Sequence, residues 1–292
     1  MKRIPPAASI KALAMDLDGT ILAPGALLNE RTIKAIQKCI QRGLSIIINT
    51  GRSIESADNF RLPLGVEGPM VCFNGAIVAD MPERKILNAV MLDTKAAEVC
   101  VDISRELGVH FQVYFLDDAH TEDIKNKGSK APNITLITEC NGDEREMYHK
   151  HTGILTELGD LKENLRKRGP NTCIKAMFLA EPEVQAKLRP LLKERAGENI
   201  YVAQTLRTFL EVMDASATKG QGLLFAIKHL GLKKEEVIAF GDEENDLPMF
   251  EAAGCSIAPS NAKDIVKDKA DLVIGSNAED GVAAFLENFF GL

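Results

Sequence analysis

Apolar residues along this chain come in short runs that stop at polar clusters. Residues 10–15, Ile-Lys-Ala-Leu-Ala-Met, form one run that ends at Asp16; residues 44–49 form a second and residues 70–73 a third. Runs this short, apolar at nearly every position, predict strands buried on both faces. Between the first two, Ile33, Ile36 and Ile40 recur at helical spacing, with Asn29 placed to cap and Gly43 to close the helix. A second helix is expected to start near Ser53. The pattern returns late in the chain as a helix over 217–230, a strand over 237–240, a short helix over 247–253, strands over 255–258 and 272–274, and a final helix over 278–290. Strands alternating with helices imply an α/β fold, a Rossmann-like parallel sheet covered on both faces.

The middle of the chain follows another rule. A helix over 94–107 leads to β-rich runs over 110–116 and 133–139, with the polar stretch 117–130 between them. After Gly169-Pro170 come a strand over 173–180, a helix over 183–195, and two closely spaced strands over 200–204 and 209–213. Short links between adjacent strands predict antiparallel pairing. Residues 83–214 therefore read as an α+β domain inserted into a discontinuous parallel-sheet domain made of residues 1–82 and 215–292.

Composition narrows the partners. Acidic residues outnumber basic ones, 42 to 35, for a formal charge of -7, and no basic stripe appears. That argues against nucleic acid. A small anionic substrate stays compatible, because a bound divalent cation and a few placed basic groups reverse the field locally. The six cysteines are far apart, mostly inside apolar runs, and lack zinc-ligand spacing, so reduced core thiols are expected. Pro5-Pro6, Lys11 and Asp16 interrupt any signal-peptide core, and no run of 18 apolar residues follows. The expectation is a cytoplasmic protein with no membrane partner, a monomer or small homo-oligomer.

Four polar clusters carry candidate chemistry, and the pattern predicts each just beyond a parallel strand, where open α/β sheets place their ligands. Asp16-Leu17-Asp18-Gly19-Thr20 sets two carboxylates two residues apart, so that one can attack while the other handles protons. A given window matches D-x-D-G-T with odds of roughly 10⁻⁵, about 0.3% over the chain, which disfavours a mere turn. Asn49-Thr50-Gly51-Arg52 offers a hydroxyl and backbone N–H groups to a phosphate oxygen, though a plain helix cap would look the same. In Thr218-Lys219-Gly220 a lysine opens a helix; alone it would read as a surface residue. Gly241-Asp242-Glu243-Glu244-Asn245-Asp246 supplies hard oxygen donors of the kind magnesium prefers.

Taken in this order, with the insertion between the second and third, the clusters resemble the haloacid dehalogenase superfamily of phosphatases, specifically its Cof-like branch with a C2-type (C2B) cap. Phe73-Asn74-Gly75-Ala76 and Glu279-Asp280-Gly281-Val282 extend the likeness over essentially the whole chain. The resemblance implies a phosphatase acting on small phosphorylated metabolites, sugar phosphates or phosphorylated cofactors. Asp16 would be the nucleophile that forms an aspartyl phosphate, and Asp18 the proton donor and later the base. Mg2+ would be held by Asp16, the Asp18 backbone carbonyl and Asp242, with Asp246 beside it. Thr50, Gly51 and Lys219 would hold the phosphoryl oxygens, and Asn245, similar to the family's orienting amide, is grouped with them. The chain departs from the pattern at Ala258-Pro259-Ser260-Asn261-Ala262, where Cof-like proteins often have Ala-Met-Gly-Asn-Ala, so Asn261 receives no ligand role. Tyr114, His120, His149 and His151 of the insertion are polar or aromatic but are assigned nothing. A receiver domain would lack the insertion; a phosphomutase of the same superfamily shares the first half-reaction; a non-catalytic relative would be expected to have lost a motif residue.

Overall fold

The computed structural model describes residues 4–116 and 134–292. The chain divides into two compact units, Met1–Asn88 with Thr218–Leu292, and Ala89–Ala217.

The first unit opens with β1 (Ala12–Met15), α1 (Glu30–Gln41), β2 (Ser45–Ile48), α2 (Ile54–Leu64), β3 (Gly68–Cys72), β4 (Ile77–Met81) and β5 (Lys85–Ala89). The second unit then runs α3 (Thr94–Leu107), β6 (His110–Leu116), β7 (Ile134–Thr138), α4 (Asp143–Thr152), β8 (Glu157–Leu158), α5 (Leu161–Arg168), β9 (Cys173–Leu179), α6 (Pro182–Ala196), β10 (Ile200–Leu206) and β11 (Phe209–Asp214). The chain returns to the first unit with α7 (Lys219–His229), β12 (Val237–Phe240), α8 (Leu247–Ala252), β13 (Cys255–Pro259), α9 (Asp264–Lys269), β14 (Leu272–Ile274) and α10 (Gly281–Phe290).

Strands β14, β13, β12, β1 and β2 lie side by side in that order, all parallel. Every residue of β1 and β12 is buried, as continuous apolar strands covered on both faces require. One face packs Ala12, Ala14, Val237 and Ala239 against Leu223 and Ala226 of α7 and Met249 of α8. On the other face Phe240 meets Phe285 of α10, ring centroids 5.7 Å apart. From β1 the chain moves outward to β2, and after the insertion it re-enters on the opposite side of β1 as β12. The strand order therefore reverses between β1 and β12, and at that point the carboxyl ends of an open sheet leave a crevice.

The second unit is built on a sheet ordered β10-β11-β9-β6-β7-β8, antiparallel except between β7 and β8. Residues alternate along β6: Phe111, Val113 and Phe115 join Cys100 and Val101 of α3, Leu165 of α5, and Leu188 and Leu192 of α6 in one apolar core. On the opposite face Tyr114 hydrogen-bonds Tyr148 of α4, and Lys175 pairs with Glu211.

Sequence pattern and structure part at identifiable places. The pattern predicts a third parallel strand over residues 70–73; β3 meets the end of β2 in a parallel bridge, Asn49–Val71, where the Thr50 N–H donates to Val71 O at 2.9 Å, but it does not extend the five-stranded sheet. It then turns through Phe73–Gly75 into an antiparallel partner, β4, within a separate three-stranded sheet. The turn depends on left-handed backbone at Asn74 (φ 54) and Gly75 (φ 101), a tertiary requirement that apolar periodicity does not register. Asn29 stands at the start of α1 but does not cap it with its side chain; its amide donates to Asp280 Oδ1 at 2.8 Å instead. Helices α4, α5 and α9 escaped the pattern because their faces are largely charged. All six cysteines are free thiols, five of them buried. Of the unassigned residues, Tyr114 is buried, His149 is exposed, and His120 and the His151 side chain lie outside the described residues.

A β-carbon added at Gly75 would stand 2.1 Å from the carbonyl oxygen of Thr218, next to Lys219, on backbone already left-handed. Gly75→Ala is expected to lower stability by about 2–4 kcal/mol, combining left-handed strain with overpacking. Urea unfolding measures this, and a variant as stable as the parent would refute the close approach.

Candidate active site

Asp16 follows the last residue of β1, and its backbone N–H donates to Phe240 O at 3.0 Å, continuing the sheet ladder one residue past the strand. Asp242 stands two residues beyond β12, so the crevice between these strands receives both carboxylates. Asp246 arrives through a short 3-10 turn, Glu244–Asp246, that leads into α8. Carboxylate oxygens of Asp16, Asp242 and Asp246 all lie within 4.8 Å of one another, and all three residues are buried.

Lys219 sits among them. It is 1% exposed, and its Nζ lies 2.9 Å from Asp16 Oδ1 and 2.7 Å from Asp246 Oδ1. The expectation that every cluster follows a parallel strand fails here, because Lys219 opens α7 straight after the insertion. It is held by Thr218, whose side chain caps α7, and by its own carbonyl, which accepts from Asn49 Nδ2 at 2.9 Å. A lysine that in isolation reads as a surface residue is thus almost fully buried.

Three carboxylates around one ammonium leave an excess of negative charge. Burial, the largest effect, raises the Asp16 carboxyl well above the usual range; Lys219 pulls it back, while Asp246 and Asp242 add to the rise. Burial followed by the Asp246 charge pushes Asp242 up to about 7. For Lys219 burial opposes the charge, but Asp16 and Asp246 outweigh it and hold the ammonium above its ordinary value. A divalent cation would relieve this imbalance, and oxygen donors of this type and closeness suit magnesium.

The acidic groups differ in how they are occupied. Asp246 Oδ2 accepts from the N–H groups of Asp242 and Glu243 at 2.9 and 3.0 Å, while Oδ1 takes Lys219. Asp242 Oδ1 accepts from the Thr20 hydroxyl at 2.8 Å. A β-carbon at Gly19 (φ 76) would fall 2.1 Å from Asp242 Oδ2, so glycine is what lets the Asp16–Thr20 loop approach so closely.

Thr50 is buried beyond β2, and its hydroxyl accepts from the Arg52 N–H at 3.2 Å, keeping its own proton for another acceptor. Gly51 lies beside Asn74, whose Oδ1 accepts from Asn245 Nδ2 at 2.9 Å. Asn245 Oδ1 is buried with no hydrogen-bond partner among the described residues. Asp18 differs from Asp16: its side chain is 53% exposed and pairs with both Arg52 Nε and Arg52 Nη2.

Sequence reasoning gave no role to Thr20, Arg52 or Asn74, although all three stand inside quoted motifs, and none to Asn261. Asn261 Nδ2 donates to Gly19 O at 2.8 Å and its Oδ1 accepts from the Asn277 N–H, so it braces the loop that carries Asp16 and Asp18. Only contacts between residues distant in sequence reveal these tasks. A cavity of about 430 Å³, lined by His110, Asp143 and Glu181 among others, lies wholly within the inserted unit and contains none of the motif residues. Among the described residues, no helix is long and apolar enough to cross a membrane.

Known proteins resemble this chain over nearly its full length. Residues 13–286 match the haloacid dehalogenase-like hydrolase family. The 5-amino-6-(5-phospho-D-ribitylamino)uracil phosphatase YitU of Bacillus subtilis is 31% identical, with 96% of this chain and 97% of the relative covered. The pyridoxal phosphate phosphatase YbhA of Escherichia coli is 27% identical over 94% of this chain and 97% of its own. A solved structure from Thermotoga maritima superposes with a TM-score of 0.79 at 28% identity, covering 96% of this chain and 97% of the other. A subclass IIB sugar phosphatase of the superfamily, 22% identical and covered in full, shares the fold with a TM-score of 0.76 over 97% of this chain. The chain belongs to the haloacid dehalogenase-like hydrolases, as a phosphatase of the Cof-like branch.

Proposed function

We propose that the protein hydrolyses phosphate monoesters of small metabolites, with magnesium, by way of an aspartyl phosphate on Asp16. The observation that carries this reading is the buried contact of Asp16 with Lys219, 2.9 Å apart beside Asp242 and Asp246 at the reversal point of the sheet. A phosphate dianion is repelled by a carboxylate nucleophile, so the site must supply positive charge, and Lys219 supplies part of it. Magnesium, held by the Asp16 carboxylate, the Asp18 carbonyl and Asp242, would neutralise the phosphoryl oxygens further. Both oxygens of Asp246 already accept from N–H donors, which supports a bracing task for Asp246 with direct ligation left to Asp16 and Asp242.

In the first half-reaction an Asp16 oxygen bonds to phosphorus, the bond from phosphorus to the leaving oxygen breaks, and Asp18 gives that oxygen its proton. Thr50, the Gly51 N–H and Lys219 grip the remaining phosphoryl oxygens, with Asn245 held in orientation by Asn74. In the second, water attacks phosphorus, Asp18 takes the water's proton, and the bond to Asp16 breaks to release phosphate. The second step returns to Asp18 the proton it gave up in the first, so no further reactant is needed. The inserted unit carries none of these residues and is assigned the choice of leaving group. Relatives named for a ribityl phosphate and for pyridoxal phosphate support phosphorylated cofactors and their precursors, alongside sugar phosphates, as the substrate class.

Inorganic phosphate release from a panel of phosphometabolites, with magnesium and then with chelator, tests the proposal. Asp16→Asn is expected to lower kcat by roughly 10⁴-fold or more with the fold intact. Full turnover in that variant, or turnover indifferent to chelator, would sink the reading. Release without any added acceptor separates hydrolysis from phosphoryl transfer.

The raised Asp242 carboxyl gives a second test. Between its ordinary value, near 4, and about 7, folded metal-free protein holds a proton that the unfolded chain has lost. Stability from this group is therefore present at low pH and disappears as pH rises through 7. Magnesium prefers the deprotonated carboxylate, so the gain in Tm on adding it should be larger at pH 8 than at pH 5.5. Equal gains at the two pH values would count against Asp242 as a ligand.

A further inference from the structure

Asp18 must present a carboxyl oxygen first to the leaving oxygen and then to water, yet its side chain is half exposed. What fixes it is Arg52. Arg52 Nε donates to Asp18 Oδ2 at 2.7 Å and Nη2 to Oδ1 at 2.6 Å, a two-pronged pairing that sets both the direction and the plane of the carboxyl group. The guanidinium is in turn held on two further sides. Nη1 donates to Ser56 Oγ at 2.9 Å, and the planar head lies over the Phe60 ring, 4.7 Å from its centroid. Ser56 and Phe60 are four residues apart on α2, so one helix face supplies both supports. The backbone of Arg52 is fixed as well: its N–H donates to Thr50 Oγ1 and its carbonyl accepts from Phe73 N–H.

We propose that Arg52 is the positioning residue for Asp18, held against the Ser56–Phe60 face of α2, and that it acts through Asp18 rather than by gripping the phosphoryl group. An exposed surface ion pair contributes little to stability, so the value of this one lies in orientation. A side chain free to rotate spends little of its time where proton transfer needs it, and small misplacements of a positioned group are costly. Lysine cannot reproduce the arrangement, because a single ammonium makes no planar fork. The inference rests on the phosphatase reading above.

The test uses kcat/KM, which reports enzyme phosphorylation alone, for an alkyl phosphate, whose poor leaving group needs a proton, and for p-nitrophenyl phosphate, which hardly does. Arg52→Ala is expected to lower the alkyl phosphate value roughly 10- to 100-fold, part of the typical contribution of about 10²–10⁴ from a positioned acid, and to leave p-nitrophenyl phosphate within about threefold. Arg52→Lys should behave like Arg52→Ala. In an Asp18→Asn background, removing Arg52 should have no further effect on either ester. Phe60→Leu, which keeps an apolar residue on α2, should give a weaker version of the same selective loss and serves if Arg52→Ala fails to fold. An equal loss on both esters would assign Arg52 to the phosphoryl group and overturn the proposal. So would an unchanged alkyl phosphate rate, or a further fall in the double variant. Asp16→Asn, run alongside, keeps the two readings apart: turnover retained there overturns the phosphatase reading and this inference with it, whereas an inactive Asp16→Asn with a uniform Arg52 effect overturns the role of Arg52 alone.

Discussion

A single ammonium buried among carboxylates organises this protein. Lys219 is 1% exposed and touches Asp16 and Asp246, which come from opposite sides of the strand-order reversal. Taking such charges out of water is expensive, and removing one partner of a buried pair costs about 3–5 kcal/mol because the other is left without compensation. The cluster therefore requires three separate segments to meet: the end of β1, the turn after β12, and the first residue of α7. The α/β layering brings the first two together, since β1 and β12 are neighbours. Helix α7 must be docked so that its first turn, rather than its middle, reaches the crevice.

That docking explains several features with no chemistry of their own. Asn49 spans from the end of β2 to the Lys219 carbonyl, and Gly75 lets the turn after β3 approach Thr218. Asn74, in left-handed backbone, bonds Asn245 and donates its own N–H to Thr50 O. Thr20 and Asn261 fasten the Asp16–Thr20 loop from two sides. The electrostatic result is a site with excess negative charge, in which Asp16 and Asp242 are both pushed toward protonation by burial. A site built this way is incomplete without added positive charge, which fits a family whose chemistry relies on a divalent cation.

The two candidate carboxylates of the first motif are two residues apart and live in different surroundings. Asp16 is buried against Lys219; Asp18 stands half exposed and is gripped by Arg52. Strand geometry accounts for part of this. Asp16 continues the ladder of β1 by its bond to Phe240, whereas Asp18 lies in the loop beyond, where side-chain contacts rather than backbone pairing must fix direction. Similar residues thus receive distinct surroundings, one buried beside an ammonium and one held at the surface by a guanidinium.

Sequence by itself determined the parallel-sheet class and the four clusters, while the second compact unit spans Ala89–Ala217 where the sequence pattern reads an insertion over 83–214. Buried strands and amphipathic helices are written as local periodicity, and the clusters are written as local spacing. Strands such as His110–Leu116 and Val237–Phe240 were legible to the residue for that reason. It did not determine that Lys219 is buried, that Asn29 bonds Asp280 instead of capping α1, that Asn261 braces Gly19, or that Arg52 clamps Asp18. Each of these joins residues from distant or separate segments, through hydrogen bonds whose partners are chosen by where folded elements come to rest. Local pattern carries which elements form and which residues have chemical capacity; only the tertiary structure decides which of those residues meet, and so which charge is buried and which is held at the surface.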